Sequence, residues 1–153
     1  MRTAALAYGG GLITIMLIAI ISVITMKSSY AELIAMSLEN SIEYSIMMTQ
    51  ANRVDWESNP KLEADGESFD MRRNVVWQDW TDDNENEVFK RDFVSRLADN
   101  IDARVNSLDI EFYGADSEYG LLSVKVTANF SYPGGVEDSV SRTRTVILDK
   151  TIP

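Results

Sequence analysis

Neither cysteine nor histidine occurs anywhere in the 153 residues. The first absence excludes disulfides, a thiolate nucleophile and cysteine metal sites; the second removes the commonest general base and metal ligand. An enzyme built on this chain would be confined to carboxylates, lysine, serine and tyrosine. Basic charge is also scarce, with 14 Lys and Arg against 24 Asp and Glu for a formal charge of −10. Of those basic residues Arg2 and Lys27 flank the first apolar stretch, so the chain from Ser28 onward carries 12 basic and 24 acidic residues, a net of −12. Such a surface repels a phosphate backbone, and nucleic acid is set aside as a partner.

The third absence is of any charge between Ala4 and Met26, AALAYGGGLITIMLIAIISVITM, with Lys27 following at once. As a helix at about 1.5 Å per residue this stretch spans roughly 35 Å, slightly more than the roughly 30 Å hydrocarbon core of a bilayer. Its most apolar part, Leu12 to Met26, has the length of a signal-peptide core. The flank Thr25-Met26-Lys27-Ser28-Ser29-Tyr30 offers no Ala-x-Ala site, which favours an uncleaved anchor. The short basic end is expected in the cytoplasm and the acidic remainder outside it, as a single-pass membrane protein.

Ser28 to Arg53 contains no glycine or proline and keeps a helical period. Tyr30, Ile34, Leu38, Ile42 and Ile46 step by four, with Leu33, Met36 and Met47 beside them, while Glu32, Glu39, Asn40 and Glu43 fall largely elsewhere. The pattern predicts one continuous helix of about fifty residues, apolar all round in its first half and amphipathic in its second. Two uses of the apolar stripe stay open. It packs on the chain's own domain, or it packs on helices of other copies, with Gly9, Gly10, Gly11, Ala4, Ala5 and Ala7 allowing close approach. The organisation expected is an apolar helix over 1–27, its amphipathic extension over 28–53, and an acidic α+β domain over 54–153.

Val54 to Asn86 is polar and irregular, with Asn59-Pro60 and Asp65-Gly66 as turn signals, yet it holds Trp56, Trp77 and Trp80. These tryptophans either cap the edge of a core or face a partner. One strand is expected in Asn74 to Trp77. A helix is predicted over Glu87 to Val105, where Phe89, Phe93, Leu97, Ile101 and Val105 recur every four residues. Asn84 with Glu87 resembles a capping box, and Asp82, Asp83 and Glu85 suit the positive end of the helix dipole. The remainder alternates with period two: Leu108, Ile110 and Phe112; then Leu122, Val124, Val126, Ala128 and Phe130; then Val140, Arg142, Arg144 and Val146 on one face of a third strand. Turns from Gly114 to Gly120 and at Pro133-Gly134-Gly135 predict antiparallel neighbours, and the apolar face of that sheet needs the helix as its cover.

Motifs that carry chemistry are few. Asp82-x-Asn84-x-Asn86 opens like a calcium loop, but Glu87 stands where glycine is required and Phe93 where a bidentate acid belongs. Asp79 with Asp82, and Asp109 with Glu111, are carboxylate pairs outside any recognisable catalytic motif, explained by a solvated acidic surface. Gly9-Gly10-Gly11 lacks the lysine of a phosphate-binding loop, and Asn129-Phe-Ser131 fits a glycosylation sequon near a strand end. Arg142 and Arg144 are expected on an exposed face answering nearby acids, or in a salt bridge between protomers. No cofactor, metal or small-molecule substrate is expected.

The segment MKSSYAELIAMSLENSIEYSIMMTQ after the apolar helix, and GLLSVKVTANFSYPGG followed by RTRTVILD, resemble the TadE-like pseudopilins of tight-adherence (Flp/Tad, type IV-like) pili in Gram-positive bacteria. The resemblance implies a pilin-like α+β fold and a structural, non-catalytic role: helix association with other copies or other pilins, and display of the acidic domain at the cell surface. It also implies peptidase cleavage after a glycine, for which Gly11 is the candidate, and a glutamate five residues further on. The fifth residue here is Met16, and the first acid is Glu32. The alternative expectation is a membrane-anchored accessory or binding protein that holds a secretion or envelope partner through Trp56, Trp77 or Trp80.

Overall fold

The computed structural model describes residues 2–51, 67–70, 74–80, 87–113 and 121–147, with side-chain surroundings for 11–50, 74–80, 89–113 and 121–147. The chain divides into two compact units, Met1–Leu33 and Ile34–Pro153. A single helix, α1 (Arg2–Ala51), contributes its first part to one and its second part to the other. No proline interrupts it, and Ser28 to Ala51 is free of glycine as predicted.

In the first unit the helix is all there is among the described residues, and every side chain from Gly11 to Ser29 is exposed. A hydroxyl in so apolar a run needs a local acceptor, and Thr25 Oγ1 donates to the Ile21 carbonyl at 2.9 Å.

The second unit is α+β. Five strands, β1 (Glu67–Asp70), β2 (Val75–Asp79), β3 (Val105–Tyr113), β4 (Leu121–Ser131) and β5 (Glu137–Ile147), form one sheet in sequence order, and α2 (Glu87–Asn100) lies between β2 and β3 in the chain. The period-two pattern sorts one face inward: Leu108, Ile110 and Phe112 of β3 and the even residues Leu122 to Phe130 of β4 are buried. Phe89, Phe93, Val94, Leu97 and Ala98 of α2 are buried too, as are Ile34, Ala35, Leu38 and Ile42 of α1. The opposite sheet face is polar and pairs across strands, with Thr127 against Ser141 at 2.8 Å and Ser123 against Thr145 at 2.9 Å.

Three expectations need correction. The strands are not all antiparallel neighbours: β2 runs parallel to β3, because α2 carries the chain back to the starting end of the sheet before β3 begins. Strand β1 adds a second strand to the stretch where one was expected; its four residues, ESFD, carry acids at both ends and no usable alternation. The second helix stops at Asn100 rather than Val105. Asp102 ends it: its Oδ1 accepts from the Arg104 backbone N–H at 2.9 Å and its carbonyl accepts from Val105 N–H at 3.0 Å, a side-chain turn that launches β3. Ile101 and Val105 are still buried as the stripe implied, but Val105 is buried from a strand. The hairpin between β4 and β5 is closed at Tyr132 and Val136, with Gly134 and Gly135 at φ +109° and +81°, where a side chain would be strained.

Candidate functional site

Three surfaces hold the residues singled out in the sequence. On the first, every large apolar side chain from Leu12 to Met26 is more than half exposed. Gly11 has open space around it, so a Cβ there meets nothing within 4 Å. Gly9 and Gly10 lie in the same helix, and their surroundings fall outside the described side chains. This is the one described helix long and apolar enough to cross a membrane.

On the second, the amphipathic part of α1 meets its own unit. Ile34, Leu38 and Ile42 are fully buried and Ile46 is half-buried, so this stripe belongs to the domain core. Of the two uses left open by the sequence, packing on the chain's own domain accounts for these residues. Polar contacts flank the stripe. Arg144 of β5 donates to Glu39 Oε1 at 2.6 Å and also bonds Glu43, Arg142 stands 3.8 Å from Glu39, and Ser41 Oγ donates to the Asn100 carbonyl at 3.1 Å. Both arginines therefore answer acids of their own chain. Ser45 and Thr49, fully buried on the same helix, have hydroxyls without a hydrogen-bond partner among the described residues. The exposed apolar side chains on this part of α1 are Leu33, Met36, Tyr44 and Met47, with Glu32, Asn40 and Glu43 among them and Gln50 beyond.

The tryptophans separate. Trp77 is only 5 % exposed and meets Phe112 edge-on at 5.7 Å, so it is a core residue and not a surface one. Trp80, just past β2, is 64 % exposed. Trp56 lies outside the described residues.

The candidate acid chemistry also separates. Asp79 does not join a solvated acidic face; its carboxylate is in contact with the ammonium of Lys90, the one fully buried cation among the described residues. Lys90 carried no signal in the sequence, because the apolar period of α2 places it beside the stripe and not on it. Asp82-x-Asn84-x-Asn86 lies outside the described residues. Asp109 and Glu111 sit on the polar sheet face, where Asp109 accepts from Asn129 Nδ2 at 2.7 Å and Glu111 accepts from Lys125 Nζ at 2.7 Å. The bond from Lys125 holds the Glu111 carboxyl below its ordinary range and raises Lys125 in turn. Burial, then the bond to Glu111, pushes Tyr113 up; Tyr132 is raised by its hydroxyl's bond to Asp138 at 2.7 Å. Asn129 of the sequon is committed to Asp109 and, at 3.1 Å, to Ser107. Among the described residues no three His, Cys, Asp or Glu side chains converge to hold a metal ion.

The functional features among the described residues are thus an exposed apolar helix, an outward α1 stripe and one exposed tryptophan. No protein-family model, curated protein or solved structure matches this chain.

Proposed function

We propose that this chain is a structural subunit of a type IV-like (Tad) filament, a minor pilin or pseudopilin of the TadE-like kind. Its apolar helix is stored in the membrane and then packs among the helices of other copies or other pilins, displaying the acidic unit without performing catalysis. The observation that carries this reading is the uncharged, exposed run from Leu12 to Met26 on a helix that continues into a small acidic α+β unit. A helix apolar on every side must be covered by lipid or by other helices. Since Ile34, Leu38 and Ile42 are used within the chain, subunit contacts beyond the membrane fall to Leu33, Met36, Tyr44 and Met47, which recur at helical spacing on the exposed side.

Mass spectrometry of the native protein, taken separately from membranes and from sheared surface material, tests the proposal. Sheared material holding a chain that begins near Leu12 supports processing at Gly11 and filament assembly. A chain beginning at Met1 and found in membranes alone sinks the processed-pilin reading. The second reading, an anchored accessory protein that holds an envelope partner, draws on the exposure of Trp80. It expects Trp80→Ala to abolish partner capture while membrane retention is unchanged.

A further inference from the structure

The geometry points to a covalent side-chain amide between Lys90 and Asp79. Long cationic side chains ordinarily reach out to water and keep the charge hydrated. Lys90 does the opposite: no part of it is exposed, and its Nζ rests against Asp79 Oδ2, whose own side chain is 9 % exposed. Asp79 is the third inward residue of β2 after Val75 and Trp77, and its cross-strand partner is Phe112. Phe112 meets Trp77 at 5.7 Å and Phe93 at 6.0 Å, and Phe93 stacks with Phe89 at 6.4 Å. Lys90 lies in the turn of α2 that carries Phe89 and Phe93. The amine and the carboxyl are therefore held together beside this aromatic part of the core, with Lys90 out of solvent and Asp79 nearly so.

That arrangement meets the needs of a condensation. Two reactants fixed in contact react as if at very high concentration, and exclusion of water disfavours hydrolysis of the product. One ammonium proton passes from Nζ to an Asp79 oxygen, leaving a neutral amine and a carboxylic acid. The Nζ lone pair attacks Cγ, the N–C bond forms, and a C–O bond breaks as the hydroxyl leaves with a further proton from nitrogen. The products are one amide and one water; nothing is oxidised or reduced and no co-reactant is needed. The link ties β2 to α2 across eleven positions of chain in a protein that has no cysteine for the purpose.

Peptide mapping of the folded full-length chain tests this directly. Asn74 to Lys90 contains no internal trypsin site, and Arg91 follows. With the amide, trypsin does not cut after Lys90, and the 74–91 peptide is lighter than its sequence by one water. Cleavage after Glu85 and Glu87 by a glutamate-specific protease then releases Asn86-Glu87 and leaves the 74–85 and 88–91 pieces joined. The Asp79→Ala variant restores full mass and the cut at Lys90. Recovery of an unmodified 74–90 peptide from the folded wild type overturns the proposal, as does a lost water with the cut at Lys90 retained, which marks a succinimide instead. The wild-type map decides the matter even if the variant does not fold.

Discussion

At Ser45 and Thr49 the helix buries two hydroxyls that no described residue answers. A buried polar group without a partner costs about 1–3 kcal/mol, whereas an apolar group of the same shape costs nothing of the kind. Thr49→Val is therefore expected to raise stability by about 1 kcal/mol, and Ser45→Ala by a smaller amount, seen as higher thermal midpoints of the detergent-solubilised protein. A lowered midpoint for Thr49→Val would mean that the hydroxyl has a partner in solution. The Glu111–Lys125 pair behaves in the opposite sense. Glu111 titrates lower in the folded chain than when unfolded, so its contribution is present above the ordinary carboxylate range and is lost as pH falls through the folded value. Lys125 is raised, so its share is present at neutral pH and is lost only at strongly alkaline pH, above the ordinary lysine range. Thermal midpoints of wild type and Glu111→Gln are expected to differ at neutral pH and converge in acid; a constant gap would show that the carboxylate's charge is not what matters.

Between elements, magnitude decides what holds α1 to its sheet. Leu38 is fully buried, and truncating such a side chain to alanine costs about 2–5 kcal/mol. Arg144 bridges Glu39 and Glu43 but its side chain is 40 % exposed, where ion pairs contribute about 0.2–1 kcal/mol. Leu38→Ala is thus expected to lower the unfolding midpoint several times more than Arg144→Ala; equal effects would place the charged seam ahead of the apolar one. Much of this scale was legible. The four-residue step from Ile34 to Ile42, the Phe89 to Leu97 stripe and the alternation of β3 and β4 each name the face they bury, because burial and period are the same signal. The parallel pairing of β2 with β3 was not, since alternation states which face is apolar and is silent on direction. Nor was the Lys90–Asp79 contact, which joins two elements whose sequences each read as ordinary. Trp77 and Trp80, three residues apart in one polar stretch, show the same limit: one closes the core and the other stands in solvent, and local composition does not distinguish them.

For the molecule as a whole, the exposed run from Leu12 to Met26 sets the conditions under which it exists. Burial of apolar surface yields about 25 cal/mol per Å², and eleven large side chains left more than half exposed make an uncovered chain self-associate in water. If the proposed membrane reading holds, replacing Ile18 and Ile21 by arginine moves the protein from the membrane pellet to the soluble fraction, since a charge near the bilayer centre costs about 2.5–3.5 kcal/mol per residue. Retention of the double variant in membranes would mean that another part of the chain anchors it. In the filament reading, Met36→Glu with Met47→Glu removes the protein from sheared surface material while leaving the thermal midpoint near that of wild type; survival in filaments would remove the outward stripe from the assembly contact.

The ion pairs that fasten β5 to α1 join residues 105 and 101 positions apart. At roughly 5–20 residues per second, Glu39 is synthesised about 5–20 seconds before Arg144. During that interval Ile34, Leu38 and Ile42 have no sheet to cover them, while the apolar run ahead of them has already been synthesised. The nascent chain therefore passes through a period in which its two hydrophobic surfaces are both open. A chaperone that acts on this protein has its work set by the distance between the first helix and the last strand.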